Sequence, residues 1–253
     1  MYIAEQAQKK EYKETDQEVQ PMAGSNYRNQ SYTVDMVFCI DATGSMEDDT
    51  GLQDKIINMV KKNALNFYDD FTNKMNSKGK QVQQLRVRVV AFRDYLEDRE
   101  RAMLVTNFFL LPQQSRDFEA CIYSIHADGG GDIPEDGLEA LAYAIKSPWT
   151  TEGQKQRHVI VVWSDACTHE LGFGKAAPNY PRGMPANMSE LSDWWETYMK
   201  RSTKRLLLFT PNEPGWSYIS DNWDNVIHYP SVTGNGLAEQ NYQDILNVLA
   251  NPV

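Results

Sequence analysis

The feature that most constrains this chain is an unbroken apolar run, Met36 to Ile40, that stops abruptly on Asp41. Residues 37–49 read VFCIDATGSMEDD, so a hydrophobic segment ends in an acid, two hydroxyls, a glycine and three further acids. A run with no polar alternation suits a strand covered on both faces, which is the usual position of a central strand in a parallel sheet. HVIVVWS at 158–164 and RLLLFT at 205–210 have the same character. LRVRVVAF at 85–92 alternates before turning apolar, AMLVT at 102–106 fits an edge strand, and NVIHY at 225–229 makes a short last strand.

Between these runs the period changes from two to between three and four. Leu52, Ile56, Met59, Val60, Ala64, Tyr68 and Phe71 share one helical face over 52–75, and DGLEALAYAIK at 136–146 repeats the pattern. Helices are also expected over 115–125, 188–201 and 237–249. Strands alternating with helices predict an α/β fold: a doubly wound, mostly parallel, Rossmann-like sheet of about six strands, with helices on both faces. Residues 1–30 are polar and mixed in charge and read as a mobile tail, with one folded domain over 31–253.

In such a sheet, ligands bind beyond the C-terminal ends of the strands. Asp41, Thr43 and Ser45 follow the first strand, and Asp165 follows the strand at 158–164. Asp132 lies in ADGGGDIPED at 127–136, behind three glycines that permit a close approach. Together these positions offer oxygen donors alone, which favour Mg²⁺, Mn²⁺ or Ca²⁺ over softer ions. Each also has a plainer explanation: Asp41 and Thr43 can cap the next helix, and GGGD can be an ordinary turn.

These three segments resemble the von Willebrand factor type A domain, called the I domain in integrins. IDATGSM matches the family's D-x-S-x-S motif, GGGDIPEDGLEAL its second loop in the form carried by intracellular, bacterial-type members, and VIVVWSDA its third. The resemblance covers about residues 32–250. It implies a metal-ion-dependent adhesion site holding Mg²⁺ or Mn²⁺ on Asp41, Thr43, Ser45, Asp132 and Asp165. It also implies a divalent-metal-dependent module that binds another protein and is not an enzyme. Asp132 stands where integrin-like members have threonine, so the shell would be more acidic and less inviting to an acidic ligand. Glu47, Asp48, Asp49, Glu135 and Asp136 deepen that negative field.

Two other functions are compatible with the sequence. DATGS has some likeness to the D-K-T-G-T motif, which would make Asp41 the nucleophile of a phosphoryl-transfer enzyme using Mg²⁺. A metal-free scaffold is the other. The net charge of −10 argues against nucleic-acid or anionic-membrane binding. The three cysteines read as free thiols in a reducing compartment, and the N-terminus lacks the apolar core of a secretion signal. A cytoplasmic location follows as the expectation. The long loop 166–188, with Phe173, Lys175, Tyr180 and Arg182, is expected at the interface with a protein partner. His169 and Glu170 in that loop, and an ion pair between Arg93 and Asp94, are further candidates.

Overall fold

The computed structural model describes residues 30–47, 56–231 and 246. The expected mobile tail, the start of the first helix with Leu52, Asp48 and Asp49, and the C-terminal helix apart from Leu246 lie outside the described residues. Seven strands form one sheet: β1 (Gln30–Asp41), β2 (Lys80–Phe92), β3 (Met103–Val105), β4 (Phe109–Leu111), β5 (Lys155–Trp163), β6 (Lys204–Pro211) and β7 (Val226–Ser231). Among the described residues the helices that accompany them are α1 (Ile56–Ser77), α2 (Tyr95–Asp98), α3 (Ser115–Ser124), α4 (Gly137–Ile145), α5 (Met188–Tyr198) and α6 (Trp216–Asn222).

The strand order is β3-β2-β1-β5-β6-β7, with β4 also on β2. β1 pairs in parallel with β2 and β5, and β5, β6 and β7 continue in parallel. β3 and β4 run antiparallel to β2. The expected mostly parallel, doubly wound sheet of about six strands is therefore corrected to a mixed, seven-stranded one. The reason lies in residues 103–111, where the chain turns back and returns along the outer edge of β2. Val90 sits opposite Val105 and Leu85 opposite Leu111. Thr106 separates the two short strands, yet its backbone N–H reaches Val89 O at 3.0 Å and its hydroxyl accepts from Val89 N at 3.0 Å.

The apolar run of β1 is explained by what covers each face. Val34, Met36, Phe38 and Ile40 pack with α1 and α3 residues, among them Phe67, Phe71 and Phe118. Val37 and Cys39 pack on the other side with α4, α5 and α6 residues, including Leu141, Trp195 and Trp216. Phe38 is fully buried and meets Phe67 and Trp163 edge-on, with ring centroids 5.6 and 5.3 Å away. Burying a side chain of this size stabilises by about 1.5–3 kcal/mol.

Asp35 is the polar break before that run. It is fully buried and held by Arg86, its register partner on β2, through Nε–Oδ1 at 2.7 Å and Nη2–Oδ2 at 2.6 Å. The two ends of the sheet differ in charge. Lys80, Lys155, Arg157 and Arg205 lie toward the N-terminal ends of β2, β5 and β6. Burial, then the charges of Arg157, Lys78, Lys155 and Arg205, push the Lys80 amine down to about 8. The acids gather at the opposite end.

Candidate functional site

Asp41 ends β1 with no exposure, and both its carboxylate oxygens accept hydrogen bonds. Oδ1 takes the Thr43 N–H at 3.0 Å and the Thr43 hydroxyl at 2.6 Å. Oδ2 takes the Ser164 hydroxyl, from the end of β5, at 2.6 Å. The Thr43 and Ser45 hydroxyls are 3.2 Å apart, and Ser45 Oγ donates to Asp165 Oδ1 at 2.9 Å. Burial, then the Asp165 charge, push the Asp41 carboxyl up to about 6, against the opposing pull of Ser164 and Thr43. A carboxylate so enclosed is poorly placed to attack a phosphoryl group, so the phosphoryl-transfer alternative has no geometric support.

The glycine loop is fastened against this chain of hydroxyls. Gly44 N–H donates to Gly129 O at 3.1 Å, and Asp128 N–H to Ala42 O at 3.0 Å. Gly129 and Gly130 have φ of +79° and +76°, the left-handed region that glycine enters without penalty. A Cβ on Gly129 would fall 1.9 Å from Asp98 Oδ1. The result is a cleft of about 310 Å³ between Thr43–Ser45, the glycines, Asp132, Glu135 and Asp165. Ile133 stands at its rim with 68% of its surface exposed.

Four of the five expected site residues come together: Asp41, Thr43, Ser45 and Asp165. Asp132 does not join their hydrogen-bonded chain. Its side chain is 55% exposed, and Oδ1 lies 3.2 Å from His169 Nε2. The acid of that loop which does turn inward is Glu135. It is 3% exposed, its Oε1 is 2.9 Å from where a Gly130 Cβ would stand, and its Oε2 has no partner among the described residues. Burial first, then Asp41, Asp94, Asp136 and Asp98, push it up to about 10. From the sequence alone, Glu135 belongs only to the surrounding acidic field. The missing signal was the backbone: Glu135 bridges to Thr168 after β5, through Glu135 N–H to Cys167 O and His169 N–H to Glu135 O, both 3.0 Å.

Arg93 and Asp94 do not pair with each other. Arg93 donates to the carbonyls of Asp128, Arg101 and His126 and makes an ion pair with Asp128. Asp94 caps α2, accepting from Leu96 N–H at 2.6 Å. Within the loop 166–188, the Tyr180 hydroxyl donates to Glu139 at 2.9 Å and its ring meets Tyr95 edge-on, so this part packs on the body of the domain. Phe173 remains 49% exposed. The three cysteines are free thiols. No helix of the described residues is long and apolar enough to cross a membrane.

No protein-family model matches the chain, and no curated protein does. Solved structures do. The fold is similar to the PilB minor pilin from Streptococcus sanguinis, with a TM-score of 0.52, 13% identity, and coverage of 86% of this chain and 61% of that one. It is also similar to the pilus adhesin SpaC from Lactobacillus rhamnosus GG, with a TM-score of 0.52, 11% identity, and coverage of 86% of this chain and 30% of that one. The chain thus spans less than two thirds of either neighbour, and the similarity at these identities is one of fold.

These findings correct several expectations. The assignment to the von Willebrand factor type A family is replaced by likeness to a minor pilin and a pilus adhesin. The metal-dependent binding module drawn from that assignment loses its support with it. The cytoplasmic expectation is withdrawn too, since both structural neighbours are pilus proteins.

Proposed function

We propose that this chain is a non-enzymatic structural or adhesive domain of a cell-surface protein, and that it meets a protein partner through the loops at the C-terminal edge of its sheet. The observation that carries this reading is Ile133, a large apolar side chain presented on the rim of a cleft whose glycine loop is already fastened by backbone hydrogen bonds. An exposed anchor on a preformed surface loses little conformational freedom on binding. The adhesive role is brought from the minor pilin and the pilus adhesin that share the fold. The acids lining the cleft favour a partner that brings a neutral or basic surface to it.

The test is capture of surface proteins by the immobilised full chain, comparing wild type with Ile133→Asp. A partner retained by wild type and lost from a folded Ile133→Asp variant supports the proposal. Equal retention by both, or no partner at all, overturns it.

A further inference from the structure

Beside the cleft, reached through Asp132 on its wall, lies a second group of side chains that the adhesive reading does not use. Asp94 from the end of β2, Asp132 from the glycine loop and His169 from the segment after β5 bring one ligand atom each to within 4.8 Å of the others. His169 Nε2 is the hub, 2.9 Å from Asp94 Oδ2 and 3.2 Å from Asp132 Oδ1. One nitrogen therefore faces two carboxylate oxygens, while a ring N–H supplies a single hydrogen. One N–H cannot point straight at both oxygens, so at best it is shared between them in a bent, three-centre hydrogen bond.

A cation accounts for both. Ligand atoms about 2.0–2.2 Å from a metal and about 90–110° apart lie about 2.8–3.5 Å from one another, the range in which these pairs fall. The donors are also prepared for the role. The Asp94 Oδ1 atom is committed to the N–H groups of Leu96 and Glu97, which directs Oδ2 to the histidine. The His169 ring is held flat on Phe173, with centroids 3.8 Å apart and planes 10° apart. Its backbone N–H is tied to Glu135 O at 3.0 Å. Asp132, more than half exposed, leaves one side open to water.

A separate observation points to a missing positive charge. Asp136 has no exposure, its Oδ1 has no partner among the described residues, and it lies close enough to Asp94 and Asp132 for their charges to act on it. Its other oxygen accepts the Tyr95 N–H at 2.6 Å. Two acids thus face the imidazole with a third close behind them, and buried carboxylates require a compensating cation or protonation.

We infer that Asp94, Asp132 and His169 form a binding site for a first-row divalent ion of the Zn²⁺ type. The mixed imidazole and carboxylate set is suited to such an ion, whereas Mg²⁺ and Ca²⁺ take oxygen donors. The site differs in residues and in chemistry from the oxygen-only edge around Asp41, and it stands independently of the adhesive reading.

The experiment uses the full chain, stripped with chelator and titrated with Co²⁺, whose visible absorption reports coordination, followed by Zn²⁺ displacement. The expected result is one Co²⁺ per chain, displaced by Zn²⁺. His169→Ala and Asp132→Asn should each weaken binding at least about tenfold, while Ser45→Ala leaves it unchanged. Melting curves identify folded variants, and the exposed Asp132 supplies one that keeps its fold. Absence of the Co²⁺ signal in wild type overturns the inference. So does undiminished binding by folded Asp132→Asn, or loss in Ser45→Ala without loss in Asp132→Asn.

Discussion

The Ser164 hydroxyl donates to Asp41 Oδ2 at 2.6 Å, tying the ends of β5 and β1 together at the point where both strands leave the core. The bond satisfies a carboxylate that has no access to water. Ser164→Ala removes the donor and leaves that oxygen buried, at a cost of about 1–3 kcal/mol. Chemical denaturation should show a lower midpoint with an unchanged slope.

Arg86 offers a sharper test of buried charge. It grips Asp35 with two nitrogens, and Thr150 N–H adds a third donor at 2.7 Å. Arg86→Met retains much of the side chain's bulk but strands a fully buried carboxylate, which costs about 3–5 kcal/mol. Parallel denaturation series of the two proteins at neutral pH measure that loss as a lower midpoint.

Glu135 predicts how stability depends on pH. Its carboxyl is raised from an ordinary 4.5 to about 10, so the folded chain holds a proton that the unfolded chain has released. That favours folding at low pH and is lost progressively as pH rises from 4.5 toward 10, by up to about 1.4 kcal/mol per pH unit. Glu135→Gln should flatten the profile and melt above wild type at pH 8. Calorimetric scans in chelating buffer from pH 5 to 9 follow both proteins, and parallel profiles would count against a buried, uncompensated Glu135.

The glycine loop predicts a steric effect. Gly129→Ala must adopt a positive φ and put a methyl 1.9 Å from Asp98 Oδ1. Backbone strain of this kind costs about 1–3 kcal/mol. The Gly44 N–H to Gly129 O bond across the cleft should loosen, seen as faster hydrogen exchange at Gly44, with core amides unaffected.

Much of the element pattern was legible in the sequence because burial on two faces leaves a plain mark. The run Met36–Ile40 is unbroken since neighbouring residues face different helical layers. The return of residues 103–111 along β2 was half hidden. Phe109–Leu111 is three residues long and closes on Pro112, too short for a period to declare itself. α2 and α6 escaped for the same reason, with four and seven residues. At the site, Asp41, Thr43, Ser45 and Asp165 were readable because each follows the end of a strand. That Glu135 also turns into the cleft depends on backbone bonds to Cys167 and His169, far away in sequence.

The separation of charge along the sheet has a consequence for orientation. With Lys80, Lys155, Arg157 and Arg205 at one end and Glu47, Asp132 and Asp165 at the other, the domain carries an electric polarity along its strands. Near any anionic surface, the torque on such a body turns the basic end toward it. Ile133 and its cleft are then presented outward, toward whatever approaches, before any specific contact has formed.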